Sequence, residues 1–298
     1  MEVGYILLAV LIFIMYGVSC WCSSVEGFED GKSTAKHDAD IYDEEYAEIY
    51  DILWTPNELK KYEQVSIQDI ALADHAVKSV KVLDMCCGTA PLAPFFKELG
   101  VDYVGVDTSD AMLEKARQGC PQAKFNKGDV TLALLYSPKS FSHALLLGFS
   151  IYMFPNPKII SDNAYQWLQP GGYFVVHLVD PDKYDPLHDL ASPFAAFSLQ
   201  KYNLERQTES VVYFDKFKYS GKLKKKKDED DASYEETLSY YDASNNGGVK
   251  YRENILSLNM PSKERMIDII KTSGFSHVEN VDLVRAGKEY QYLAYFTK

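Results

Sequence analysis

Two stretches of this chain have residue types and spacing that suit chemistry: Lys81-Val-Leu-Asp-Met-Cys-Cys-Gly-Thr-Ala-Pro-Leu92 and Val104-Gly-Val-Asp107. The first reads as a buried strand ending in Asp84, a tight turn holding Gly88, and a helix behind it. A small residue is needed where a backbone turn approaches a ligand closely. In a doubly wound sheet such a turn lies at the carboxyl end of the first strand, at the topological switch point where ligands bind. Asp107, ending the next strand, can accept hydrogen bonds from both ribose hydroxyls of an adenosine. This pairing alone fits a nicotinamide enzyme as well as other adenosine binders. Cys86 and Ala90 flank a single Gly88, however, and a nicotinamide pyrophosphate wants Gly-x-Gly-x-x-Gly.

The rest of the chain supplies the elements that must hold this turn. Short apolar runs at 81–85, 103–107, 142–148 and 173–179 read as buried strands, with 123–126 a further candidate. Helical patterns lie between them at 92–99, 110–118 and 157–168. Strand–helix alternation of this kind predicts a parallel, doubly wound α/β sheet covered by helices on both faces. Upstream, 43–54 has helical spacing, and Thr55-Pro56-Asn57-Glu58 opens a second helix with a capping box. After Asp180 the pattern changes. Runs at 211–219, 234–241 and 249–258 alternate apolar and polar residues, as half-solvated antiparallel strands do, and are rich in Tyr and Phe. The block Lys222-Leu-Lys-Lys-Lys-Lys-Asp-Glu-Asp-Asp231 reads as an exposed hairpin loop. A helix at 262–272 and a hairpin of 275–284 with 290–296 close the chain.

Leu83-Asp-Met-Cys-Cys-Gly-Thr-Ala90 followed by Gly105-Val-Asp-Thr-Ser-Asp-Ala-Met-Leu113 resembles the class I S-adenosylmethionine-dependent methyltransferases. The Cys-Cys-Gly-Thr-Ala variant is nearest the quinone-biosynthesis C-methyltransferase branch. Lys127-Gly-Asp129-Val resembles the third-strand motif, Leu168-Gln-Pro-Gly-Gly172 the turn before the fifth strand, and Tyr46-Ala-Glu-Ile-Tyr50-Asp the helix lying over the cofactor. The resemblance implies a Rossmann-like, seven-stranded methyltransferase sheet. It also implies an S-adenosyl-L-methionine site made by Tyr46, Tyr50, Asp84, Cys86, Gly88, Thr89, Asp107, Thr108, Met112, Asp129, Val130 and Gly148. Two departures bear on it. Cys86 replaces a glycine usual in this turn, and Phe141-Ser142-His143 stands where many relatives open the fourth strand with an acid.

The family's reaction is in-line methyl transfer to a nucleophile, accelerated mainly by holding the partners in attack geometry. A general base is needed only for a protonated acceptor. The candidates beyond strands four and five are Tyr152, His177, Asp180 and His188, of which Tyr152 and Asp180 rank first; His177 reads rather as a core residue. No metal site is expected, because the six histidines are scattered and Cys86-Cys87 lacks zinc-ligand spacing.

Composition sets the outer limits. Thirty-one basic against 43 acidic residues give a net charge of −12, which makes a nucleic-acid partner unlikely. Residues 26–51 hold ten acids and two lysines, so −8 of that charge is local. Residues 3–21 carry no charge. They read as a transmembrane anchor over 1–22, with a cleaved signal peptide as the rival. The expected organisation is therefore an anchor (1–22), a flexible acidic linker (23–40) and a methyltransferase domain (41–298) with an antiparallel cap at about 186–261. On that reading the protein is single-pass with a cytosolic domain, or secreted or lumenal after cleavage. It would methylate a small or lipid-like acceptor near a membrane. A non-catalytic cofactor-binding scaffold and a protein methyltransferase are the alternatives.

Overall fold

The computed structural model describes residues 34–54, 56–73, 76–191, 206–227, 229–241 and 249–298. Its central strands are β2 (Lys81–Met85), β3 (Asp102–Asp107), β4 (Lys124–Lys127), β5 (Phe141–Leu146) and β6 (Leu168–Val179). β5 is buried at every position and β2 at all but its first, as expected of parallel strands covered on both faces. With the closing hairpin β11 (Ser276–Asp282) and β12 (Gln291–Thr297) they form one seven-stranded sheet, ordered β11-β12-β6-β5-β2-β3-β4. β12 runs antiparallel to β6, whereas β6, β5, β2, β3 and β4 are mutually parallel. The order reverses between β2 and β5, which sets the switch point beside Asp84.

Among the described residues six helices accompany the sheets: α1 (Glu44–Trp54), α2 (Asn57–Ile70), α3 (Ala93–Glu98), α4 (Asp110–Gly119), α5 (Pro157–Trp167) and α6 (Lys263–Thr272). Their starts follow local chemistry. Ser109, Asn156 and Ser262 accept backbone N–H bonds at the first turns of α4, α5 and α6. α2 begins one residue later than the capping box implied, with Pro56 as the flanking residue; Thr55 lies outside the described residues. Two apolar clusters cover the sheet, one around Trp167, Phe174 and Phe296 and the other around Phe96, Tyr103 and Tyr295. The unusual His143 belongs to this core: its Nε2–H donates to the Ala71 carbonyl at 2.6 Å, and its ring stacks on Tyr173.

A second sheet has the order β1-β10-β9-β8-β7, made of β1 (Thr34–His37), β7 (Glu209–Tyr213), β8 (Phe217–Lys225), β9 (Asp231–Tyr241) and β10 (Val249–Asn259). Its strands β7 to β10 include the runs expected as antiparallel strands, with two differences. The run 211–219 is not one strand, because Phe214 N–H turns back to the Phe217 carbonyl at 2.9 Å and splits it into the β7–β8 hairpin. The last residues of the expected linker are structured: Thr34–His37 pairs in parallel with β10, and Asp38–Ile41 forms a 3₁₀ turn. Tyr46, Leu53, Met112, Phe217 and Leu238 form a third apolar cluster between α1 and this sheet.

The expectation of a membrane-spanning helix is not met. Among the described residues no helix is long and apolar enough to cross a membrane, and the segment 1–22 lies outside them. No helix of the described residues thus supports a single-pass protein or an acceptor presented by a membrane.

Candidate functional site

The turn after β2 is built from left-handed backbone. Cys86, Gly88 and Ala90 have φ of 55°, 54° and 54°. For Cys86 and Ala90 that conformation costs about 1–2 kcal/mol each, so other contacts must hold the turn. The Asp107 carboxylate is the main one: Oδ2 accepts Gly88 N–H and Oδ1 accepts Ser109 N–H, both at 2.9 Å. Burial pushes the Asp107 carboxyl up, and these amide bonds oppose the shift. Thr89 Oγ donates to Asp51 at 2.6 Å, fastening α1 over the turn. Gly105 has a steric role, because a Cβ there would stand 2.8 Å from both Cys87 Sγ and the Phe125 ring.

The structure brings most of the expected cofactor residues together at these strand ends. Tyr50 leans over the turn, its ring carbon 3.8 Å from where a Cβ of Gly88 would lie. Met112 is buried below α1, and Thr108 is exposed beside Asp107. Asp129 and Val130 follow the neighbouring strand β4. Asp129 Oδ1 accepts two bonds from Thr131, and Val130 is buried with its carbonyl bonded to Asn163. Tyr46 turns the other way, and its hydroxyl donates to Glu236 of the second sheet at 2.8 Å.

Two cavities meet here. A groove of about 670 Å³, mouth included, runs past Glu63, Asp84, Cys86 and Cys87. A larger cleft of about 1140 Å³, mouth included, lies below the second sheet. They share Tyr50, Trp54, Pro56, Leu59 and Gly148 as a common wall. Gly148 has φ +61°, and the place a Cβ would take is open space. The groove's carboxyl groups and open glycine fit a ligand with hydroxyl and ammonium donors.

The two acid–base candidates ranked first do not line either cavity. Tyr152 is fully buried, and its hydroxyl accepts Val179 N–H at 2.8 Å, the bonding of a core tyrosine. Asp180 accepts from Lys183 Nζ at 2.8 Å at the sheet's edge. His177 and His188 do line the cleft. His177 Nε2–H donates to Gln291 Oε1 at 3.1 Å, while its Nδ1 is buried without a partner. Burial pushes this imidazole down to about 4, so it is neutral at neutral pH. His188 is also held low by burial, and its Nδ1 accepts Leu190 N–H at 3.2 Å. Among the described residues no group of three or more His, Cys, Asp or Glu could hold a metal ion.

Sequence reasoning missed Glu236 and its network. Glu236 lies in β9 on the same face as Tyr234, Leu238 and Tyr240, so an acid interrupts an inward-facing row. That interruption was the available signal. It accepts from Tyr46, Tyr219 and Asn254 at 2.8–3.1 Å. Arg252, 1 % exposed, then bonds Asn254, Asp43 and the Ile41 carbonyl.

Glu63 was missed as well. Burial and the neighbouring Asp84 push its carboxyl up to about 8, and burial raises Asp84 to about 7. A carboxyl raised on folding contributes stability that is full below its unfolded value and is lost as pH rises through the folded one. Glu63→Gln should therefore raise the melting temperature by a few degrees at pH 8 and hardly at pH 4. Scanning calorimetry at both values checks this, and an equal change at the two would contradict it.

Comparison with known proteins agrees with the geometry. Residues 82–172 match the family described as "Methyltransferase domain". A solved S-adenosylmethionine-dependent methyltransferase from Clostridium acetobutylicum superposes with TM-score 0.61 at 17% identity, over 85% of this chain and 97% of that one. The chain has the class I S-adenosylmethionine-dependent methyltransferase fold. S-adenosylmethionine is the cofactor of that fold, in agreement with the expectation from sequence, and the matched domain is of the expected enzyme class. Trans-aconitate 2-methyltransferase of Variovorax paradoxus is 27% identical over 151 residues, 48% of this chain and 56% of that protein. Demethylmenaquinone methyltransferase of Renibacterium salmoninarum is 32% identical over 101 residues, 34% of this chain and 42% of that protein. The chain thus spans about half the length of the curated relatives it matches. The two act on different acceptors, so the match does not single out the quinone branch.

Proposed function

We propose that this chain is an S-adenosylmethionine-dependent methyltransferase whose acceptor is a small molecule held in the cleft under the second sheet. One observation carries this reading: the groove at the turn after β2 and that cleft adjoin, with five lining residues in common. Ligands seated in the two would be neighbours at Gly148, where the place of a Cβ is open space.

In this reading Asp107 receives the ribose hydroxyls, Asp129 and Val130 border the adenine, and Cys86, Gly88 and Thr89 border the methionine part. Bound S-adenosylmethionine supplies a methyl group already activated as a sulfonium. The chain's own task is then positioning and exclusion of water, which suffice for most of the acceleration. α1 does both. Thr89–Asp51 fixes it to the turn, Tyr46–Glu236 fixes it to the second sheet, and Tyr50 and Trp54 form the wall between the cavities. His177, with one ring nitrogen held by Gln291 and the other unpartnered, is placed to accept a hydrogen bond from the acceptor. The Cys-Cys-Gly-Thr-Ala turn and the 32% match support kinship with the quinone branch for the cofactor half alone.

The test is transfer of a labelled methyl group from S-adenosylmethionine into fractionated extracts. Label should enter the small-molecule fraction. Label confined to protein, or no label in any fraction, would overturn the proposal.

A further inference from the structure

We infer that the acceptor is an amine carried as an ammonium ion, seated in the aromatic cleft beside Glu236. The inference deepens the methyltransferase reading and rests on it. Four features of the cleft point the same way.

First, Glu236 lines the cleft and is 5 % exposed, yet all its hydrogen-bond partners are neutral: the Tyr46 and Tyr219 hydroxyls and the Asn254 amide. Arg252 stands one layer behind and is already matched by Asp43 at 2.7 Å and Glu45 at 3.8 Å. A buried carboxylate without its own cation is costly unless a cation is brought to it. Second, the formal charges along the lining are Asp185, Asp189 and Glu236 against Lys288, which itself pairs with Asp189. Lys288 is thus taken and does not serve Glu236. Third, its walls include Tyr42, Tyr50, Trp54 and Tyr234, and aromatic faces attract cations. Fourth, the lining holds an acceptor without a donor. The Trp54 indole N–H donates to Tyr46, and the Tyr46 and Tyr219 hydroxyls donate to Glu236, while His177 Nδ1 is left as an acceptor with no donor.

An ammonium answers all four features, because it brings positive charge and several N–H donors at once. A hydroxyl would satisfy His177 and leave Glu236 without a cation. A carboxylate, the group that trans-aconitate would present, would meet the like charge of Glu236. Position agrees as well: Tyr50 lines both cavities and leans over the turn at Gly88, so the aromatic cleft adjoins that turn. Methylation of such an acceptor balances simply. The ammonium releases one proton to solvent, and its nitrogen lone pair then forms the new N–C bond. The methyl's bond to sulfur breaks with both electrons staying on sulfur, and the product leaves as an N-methylammonium ion.

Three ring compounds of matched size test this: cyclohexylamine, cyclohexanol and cyclohexanecarboxylate. Each is titrated at neutral pH into the full chain with excess S-adenosylhomocysteine, which prevents turnover. The amine should bind at least about tenfold more tightly than the alcohol, and the carboxylate more weakly than either. Glu236→Gln should bring amine and alcohol within about twofold of each other, in a protein that keeps a cooperative thermal transition. Should that variant not fold, the wild-type order of the three probes decides. Absence of amine binding, or an alcohol or carboxylate that binds as tightly as the amine, would overturn the inference. Failure of the methyltransferase reading would show separately, as absent S-adenosylhomocysteine binding.

Discussion

Asp107→Ala should weaken S-adenosylmethionine binding about 100-fold or more in isothermal calorimetry. Asp107 performs two tasks with one carboxylate. Inside the protein it accepts the N–H groups of Gly88 and Ser109 and so joins the turn after β2 to the start of α4. In the proposed reading its remaining lone pairs take the ribose hydroxyls of the cofactor. Hydrogen bonds to a charged group contribute about 1.5–3 kcal/mol each, and 1.4 kcal/mol is a factor of ten in affinity. Losing the ribose contacts and loosening a turn that already holds two non-glycine residues at positive φ therefore adds up to about 3 kcal/mol or more. Asp107→Asn keeps the shape and one acceptor oxygen, so its loss should be smaller. Equal affinity of Asp107→Ala and the wild type would remove Asp107 from the site.

The second large effect concerns stability. Arg252→Met should cost about 3 kcal/mol in urea unfolding, toward the lower end for breaking a buried ion pair. The guanidinium is 1 % exposed and holds Asp43, Asn254 and the Ile41 carbonyl together. Methionine fills the volume but leaves the Ile41 carbonyl and Asn254 Oδ1 without their donors. The Asp43 side chain is 34% exposed, so water can take its share, which keeps the cost near the lower figure. A change below about 1 kcal/mol would mean that the network is not what ties the amino-terminal segment to the second sheet.

How far the molecule could be read from its sequence follows from which interactions are local. Strand β2 is matched residue for residue at 81–85, and α4 begins where expected, because the apolar runs and the Ser109 cap are written in neighbouring residues. The turn at Gly88 and the acid at Asp107 were legible for the same reason. The base candidates were not. Tyr152 and Asp180 follow the expected strands in sequence, but a side chain's direction there depends on β12. That strand packs antiparallel to β6 and brings Gln291 to His177. Glu236 and Arg252 sit 190 and 209 residues from their partners Tyr46 and Asp43, a pairing that no local pattern encodes. The apolar first 22 residues, the most conspicuous compositional feature, lie outside the described residues and inform neither the fold nor the site.

The central claim is that the turn between β2 and α3 binds S-adenosylmethionine. Calorimetric titration of the full chain with S-adenosylmethionine tests it most directly. One saturable site per chain, competed by S-adenosylhomocysteine, is the predicted result. No binding heat, together with no shift of the melting temperature at saturating cofactor, would contradict it.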